Sequence, residues 1–186
     1  MFEPMRPFCP QTADEAAACT LIDFAWQTFG APLYTRAVPL CHFTSSSMIF
    51  DRTLSRTLMV YHNIYRSWSW TGGHNDGDTD FLSVALREAQ EETGVSALRP
   101  LSALPLRWDV LPVSAHTKNG RSVAAHLHLN AAFALIADDA APLAVCPAEN
   151  SAVAWIGLDA LPARCEEPAM LPIYRSMIER ARSLRL

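Results

Sequence analysis

Apolar positions change period several times along the chain, and each change marks an element. Leu21, Ile22, Ala25, Trp26 and Phe29 follow the three-four spacing of a helix. Thr12 and Glu15 have the spacing of a capping box ahead of it, and Gly30 with Pro32 ends it. The texture then becomes β-like, with short runs predicted at 46–50, 57–62 and 67–71 and a turn at 51–55. Residues 72–78 are rich in Gly, Asn and Asp and read as a loop. A strong helix follows over 80–93, buried through Phe81, Leu82, Val84, Ala85, Leu86 and Ala89, with Gly94 as its left-handed cap. Strand-like segments return at 98–111, 122–136 and 152–158, and residues 116–121, with their Asn-Gly, predict a hairpin loop. Tyr174, Met177, Ile178, Ala181 and Leu184 pattern a closing helix over 170–184, with Arg180 and Arg182 suited to its dipole.

These elements make a mixed α/β chain, and 186 residues suit a single domain with a sizeable core. There is no internal repeat, low-complexity tract or linker. The formal net charge of -4 argues against a broad nucleic-acid surface, so no stable nucleic-acid complex is expected. Five cysteines, an odd number without CxxC spacing, predict reduced thiols. The first ten residues lack the apolar stretch of a secretory signal, and the apolar run 131–137 is too short to span a bilayer. A cytoplasmic protein with no membrane association is therefore expected.

The chemistry concentrates in the second helix. Glu88, Glu91 and Glu92 stand at i, i+3 and i+4, so their carboxylates share one side and repel by a few tenths of a kcal/mol per pair, order of magnitude about 0.2–0.5. Glu91 and Glu92 also approach the C-terminal end, where the helix dipole favours cations. A bound divalent cation reverses the sign of each of these terms, and hard oxygen ligands suit Mg²⁺ or Mn²⁺. An isolated ExxEE would more often be a plain exposed acidic face; its surroundings decide.

Gly73, followed thirteen residues on by Arg87-Glu88-Ala89-Gln90-Glu91-Glu92-Thr93-Gly94-Val95, resembles the Nudix box, with Ala89 in the first aliphatic slot. Trp68-Ser69-Trp70-Thr71-Gly72-Gly73 resembles the family's entry to that box, with Thr71 in place of proline. Glu149, Trp155, Leu158 and Leu161 resemble its closing strand and turn. The resemblance implies a Nudix-type α-β-α sandwich with a mixed sheet. Its core would span 44–165, with a helical N-terminal extension over 1–43 and an added C-terminal helix over 166–186, all one domain. It implies a metal-dependent pyrophosphohydrolase acting on a nucleoside diphosphate linked to another group. In that reading Glu88, Glu91 and Glu92, with the Gly73 carbonyl, hold Mg²⁺ or Mn²⁺. Glu91, Glu88 and Arg87 carry catalysis, with Arg87 orienting the carboxylates. A small-molecule nucleotide or other diphosphate is the expected partner, and a second copy of the chain, as a homodimer, is another candidate.

One position departs from the box. Its first glutamate falls at Thr79, and Asp80, seven residues before Arg87, is the expected substitute partner for that arginine. Asp138, Asp139 and Glu149 are further base candidates or plain surface carboxylates. His126, His128 and Asn130 alternate with apolar residues, which sets three polar groups on one strand face. That face either lines the substrate cleft or holds hydrogen-bonded strand histidines, and H-x-H alone lacks the further ligands a metal needs. Trp70 either stacks on substrate or packs in the core, and His74, Lys118 and Arg121 either meet phosphate or face solvent. Two other functions stay open: a catalytically silent nucleotide-binding module, suggested by Thr79, and an allylic-diphosphate isomerase, for which Cys41 and His42 are the adjacent pair.

Overall fold

A computed structural model describes residues 2–118 and 120–184, with Lys118 described in its backbone alone; Asn119 of the expected Asn-Gly turn lies outside them. The first helix, α1 (Ala13–Phe29), begins where Thr12 accepts the Glu15 N–H at 3.3 Å and ends at Gly30, whose φ is 60°. The reciprocal half of the capping box is not made. The Glu15 carboxylate takes the Gln11 N–H at 2.7 Å instead and turns into the protein.

Strand β1 (Cys41–Phe50) starts well before the expected position. Its front half, Cys-His-Phe-Thr-Ser-Ser-Ser, looks like a polar loop but is buried throughout. The buried hydroxyls partner one another across strands: Thr44 and Ser46 donate to Asn130 Oδ1 at 2.9 and 2.8 Å, and Ser47 meets Thr71 at 2.8 Å. The following strands are β2 (Arg56–His62), β3 (Ser67–Ser69) and β4 (Thr71–His74).

Strand β4 corrects the loop expected from residue 72 onward. Residues 71–74 pair antiparallel with 44–47 of β1, and neither Gly72 nor Gly73 has a positive φ. These glycines serve close approach rather than turning. A Cβ on Gly72 would lie 2.5 Å from Ser46 Oγ and 2.9 Å from the Ser45 carbonyl oxygen.

Helix α2 (Phe81–Thr93) is capped by Asp80, which accepts the Leu82 and Ser83 N–H groups at 3.1 Å each, and by left-handed Gly94. The run expected at 98–111 divides into β5 (Arg99–Pro100) and β6 (Arg107–Val113). A small separate hairpin, β7 (His116–Lys118) with β8 (Arg121–Val123), precedes β9 (His126–Ile136) and β10 (Asn150–Gly157). The short α3 (Leu161–Arg164) and α4 (Met170–Ser183) complete the chain.

The main sheet runs β10-β2-β1-β9-β5, with β3 on β2, β4 on β1 and β6 on β9. Strands β1 and β9 pair in parallel over ten positions, and their neighbours are antiparallel, so the sheet is mixed. Ile22 and Ala25 of α1, with Phe81 and Ala85 of α2, pack on Phe43, Trp108, Leu129 and Phe133. Tyr174, Met177 and Ile178 of α4 cover Met48, Phe50, Met59 and Ala134 on the opposite face. The result is an α-β-α sandwich. Phe2 belongs to it as well, stacked on Phe43 at 4.9 Å and edge-on to Trp108 at 5.9 Å.

The turn between β1 and β2 shows how a buried carboxylate is held. Asp51 Oδ1 accepts the Ser55 N–H at 2.8 Å and the Arg56 N–H at 3.1 Å, while Oδ2 accepts the Thr53 hydroxyl at 2.7 Å. Burial alone would raise its pKa, but these donors win and lower it from 3.8 to about 2. A depressed carboxylate stabilises the fold above its unfolded pKa, and that contribution is lost as pH falls from about 4 to about 2. Asp51→Ala should therefore cost about 2 kcal/mol at pH 7 and much less at pH 2. Urea unfolding at the two pH values checks this; an equal loss at both would refute the charge-based account.

Candidate active site

Helix α2 carries its glutamates to the edge of β4. Glu88 and Glu92, one turn apart, point inward, with a side-chain exposure of 14% at Glu88, and Glu92 is buried. Glu149, just before β10, completes a group of three carboxylates whose ligand oxygens all lie within 4.8 Å of one another. Asn150 fixes this approach. Its Nδ2 donates to the Glu92 carbonyl oxygen at 3.0 Å, and its Oδ1 accepts the Cys146 N–H at 3.1 Å. The segment bearing Glu149 is thereby tied to the end of α2. The pattern along the chain gives no signal for Asn150, whose role appears only once β10 is in place.

Glycine makes the pocket. A Cβ on Gly73 would fall 2.3 Å from Glu88 Cδ, and the Gly72 N–H points at Glu92 Oε1 at 3.5 Å. Burial, reinforced by Glu149, pushes the Glu92 carboxyl up to about 9, and burial also raises Glu88 against the pull of Arg87. Crowded, desolvated carboxylates of this kind fit a hard divalent cation, which reverses both the burial and the repulsion terms. Gly73→Ala should displace the Glu88 carboxylate and lower turnover about 100-fold with the fold intact. Steady-state rates alongside far-UV circular dichroism check it, and unchanged turnover would count against this packing.

The other expected residues fall as follows. Arg87 donates to Glu88 Oε1 at 3.0 Å and lies 3.9 Å from both Asp78 and Glu91. The expectation for Asp80 is corrected: its carboxylate is spent on capping α2, and Asp78 is the carboxylate that approaches Arg87 from that loop. Glu91 sits at the rim, 59% exposed, outside the group of three. Asp138 and Asp139 pair with Arg52 and Arg56 on the surface.

Of the two readings for Trp70, the core is where it lies, buried edge-on against Tyr174 at 5.4 Å with its backbone N–H directed at the tyrosine hydroxyl. Cys41 packs with the α1 side of the core, and its strand neighbour His42 points to the other face, so the two form no acid–base pair. His126 and His128 do not flank the glutamates either. They gather with His42 and His74 on the opposite face of the sheet, since His74 follows Gly73 directly in β4.

The chain belongs to the Nudix family: the model of the NUDIX domain matches residues 44–180, a span that includes most of α4. No curated protein matches it in sequence. Among solved structures, the E. coli dihydroneopterin triphosphate pyrophosphohydrolase is 16% identical, with a TM-score of 0.55 over 74% of this chain and 92% of that one. The C. elegans Ap4A hydrolase is 13% identical, with a TM-score of 0.51 over 76% and 98%. The NUDIX domain of Shewanella oneidensis NrtR, solved in complex with ADP ribose, is 16% identical, with a TM-score of 0.51 over 77% and 88%. At these identities the likeness is one of fold. No helix among the described residues is long and apolar enough to cross a membrane.

Proposed function

We propose that this chain is a Mg²⁺- or Mn²⁺-dependent pyrophosphohydrolase whose substrate is a nucleoside diphosphate linked to another group. The observation that carries the reading is the convergence of Glu88, Glu92 and Glu149 against a glycine strand with no Cβ in the way. In support, the two hydrolases similar in fold are named for dihydroneopterin triphosphate and Ap4A, and a third relative was solved with ADP ribose.

Glu88, Glu92 and Glu149 would hold the cation, with the backbone at Gly73 close beside them. When bound, such an ion supplies positive charge to phosphate oxygens and acidifies a coordinated water. The protein's own part is positional. Arg87 fixes the Glu88 rotamer, the Gly72 N–H restrains Glu92, and Asn150 sets the distance of Glu149 from α2. Glu91, exposed at the rim and one residue from Glu92, would take the proton of an attacking water, a role worth about 10²–10⁴-fold.

Thr79 suggests the silent binding module, but it is exposed in the loop before α2, while Asp78 approaches Arg87. The test is nucleotide and phosphate release from a panel of nucleoside diphosphate derivatives and triphosphates with Mg²⁺ or Mn²⁺. Metal-dependent cleavage of a phosphoanhydride establishes the hydrolase; metal and nucleotide binding without turnover across the panel favours the module.

A further inference from the structure

We propose that His42, His74, His126 and His128 form a second metal site, separate from the carboxylates, that takes a zinc-class divalent ion through imidazole nitrogens. The four come from three strands. His42 and His128 are paired neighbours in β1 and β9, His74 lies opposite Thr44 at the end of β4, and His126 opens β9. One ring nitrogen from each can be chosen so that all four lie within 4.8 Å of one another. Ring centroids are 4.8 Å apart for His42–His74 and His42–His126, and 4.9 Å for His74–His128.

Tetrahedral zinc, with Zn–N bonds of about 2.0–2.1 Å, sets its nitrogens roughly 3.3 Å apart. His126 Nε2 and His128 Nε2 are already 3.3 Å apart. Rotations of about 1.5 Å at most would close the longer separations to that tetrahedral edge. His126 is also oriented from behind: its Nδ1 lies 2.8 Å from the Ala124 carbonyl oxygen, which can only accept. With Nδ1 engaged there, Nε2 is the nitrogen turned into the cluster, the arrangement found behind metal-bound histidines.

A hydrogen bond between the His126 and His128 Nε2 atoms accounts for those two rings, but not for His42. His42 is 6% exposed, and neither of its ring nitrogens has a hydrogen-bond partner of normal geometry, the Val38 backbone offering only a weak favourable contact. A buried imidazole left in this way is costly unless something binds it. Imidazole nitrogen suits Zn²⁺, Cu²⁺ or Ni²⁺ and not Mg²⁺, which distinguishes this cluster chemically from the glutamates. Held by one ion, it would clamp the ends of β1, β4 and β9 together beside the β7–β8 hairpin.

The experiment uses the untagged full chain, stripped with chelator and titrated with Co²⁺ in the presence of excess Mg²⁺. Expected is one Co²⁺ per chain with the visible absorption of a tetrahedral nitrogen site, displaced by Zn²⁺. That band should vanish in His42→Gln and in the His126→Gln/His128→Gln double variant, and persist in Glu92→Gln. Circular dichroism confirms that each variant folds, and Zn²⁺ should raise the melting temperature of wild type but not of the double variant. The proposal is overturned by a wild type that binds no stoichiometric Co²⁺, by a weak octahedral spectrum, by a band that survives the histidine substitutions, or by one lost with Glu92. Because hydrolysis enters none of these readouts, the site and the proposed activity stand or fall separately.

Discussion

Glu92→Gln should abolish metal-dependent turnover, with a loss of about 10³-fold or more, while making the metal-free protein more stable. Both effects have one cause. Glu92 is buried beside Glu149 and Glu88, and its carboxyl is raised to about 9. A group whose folded pKa exceeds its unfolded value supports the fold fully below about 4.5 and loses that support as pH rises toward 9. Near pH 8 the metal-free wild type therefore either keeps an unfavourable proton or buries a repelled charge. Glutamine removes that choice at nearly constant volume, so the metal-free variant should be the more stable of the two. For a chain of this size each kcal/mol is roughly 2–4 °C in melting temperature. Calorimetry in chelator and rates with Mg²⁺ should move in opposite directions. A variant both inactive and destabilised would mean that Glu92 is a packing residue and not a ligand.

The largest loss of stability should come from Glu15→Ala, at about 3–5 kcal/mol. Glu15, in the first turn of α1, is fully buried, and its carboxylate meets Arg107 at 2.6 Å and Arg180 at 2.7 Å; Arg107 in turn holds Asp109 at 2.6 Å. Arg180 also donates to the Leu106 carbonyl oxygen. Two guanidinium groups and two carboxylates thus balance in a nearly dry space between α1, β6 and α4. Burial raises the Glu15 pKa, but the Gln11 N–H and both arginines outweigh it and leave it lowered. Removing this carboxylate strands a positive charge where water scarcely reaches. Urea midpoints report the loss, and Glu15→Gln should recover only part of it. Because a depressed carboxylate stabilises above its unfolded pKa, the difference from wild type should narrow in acid. A cost below about 1 kcal/mol would mean that the network is solvated and behaves as a surface pair.

Sequence pattern and structure agree where a signal is local. The glutamates of α2, its cap at Gly94 and the period of α4 each lie within one element, so spacing alone places them. What escaped is what strand pairing assembles. Asn150 reaches Glu92 across 58 positions, and His42 and His74 join His126 and His128 only because β1 lies between β4 and β9. The front of β1 went unread for a different reason, since its serines and threonines are buried against one another and against Asn130 rather than exposed. Glu15 and the glycines misled through double meaning. Spacing made Glu15 a capping residue, whereas its carboxylate serves a buried charge network. Composition made Gly72 and Gly73 a turn, whereas close approach needs them in a strand.

The parallel pairing of β1 with β9 bears on how the chain reaches its native state. Strands β1 and β2 can meet early through a short turn, but Thr44 must find Asn130 across 86 positions before the centre of the sheet exists. Closing a loop of that length spends chain entropy before any contact repays it, so docking β9 beside β1 should limit the folding rate. Until that step β1 keeps an open hydrogen-bonding edge, and ribosome-bound chains that have not yet extruded β9 will present that edge to chaperones.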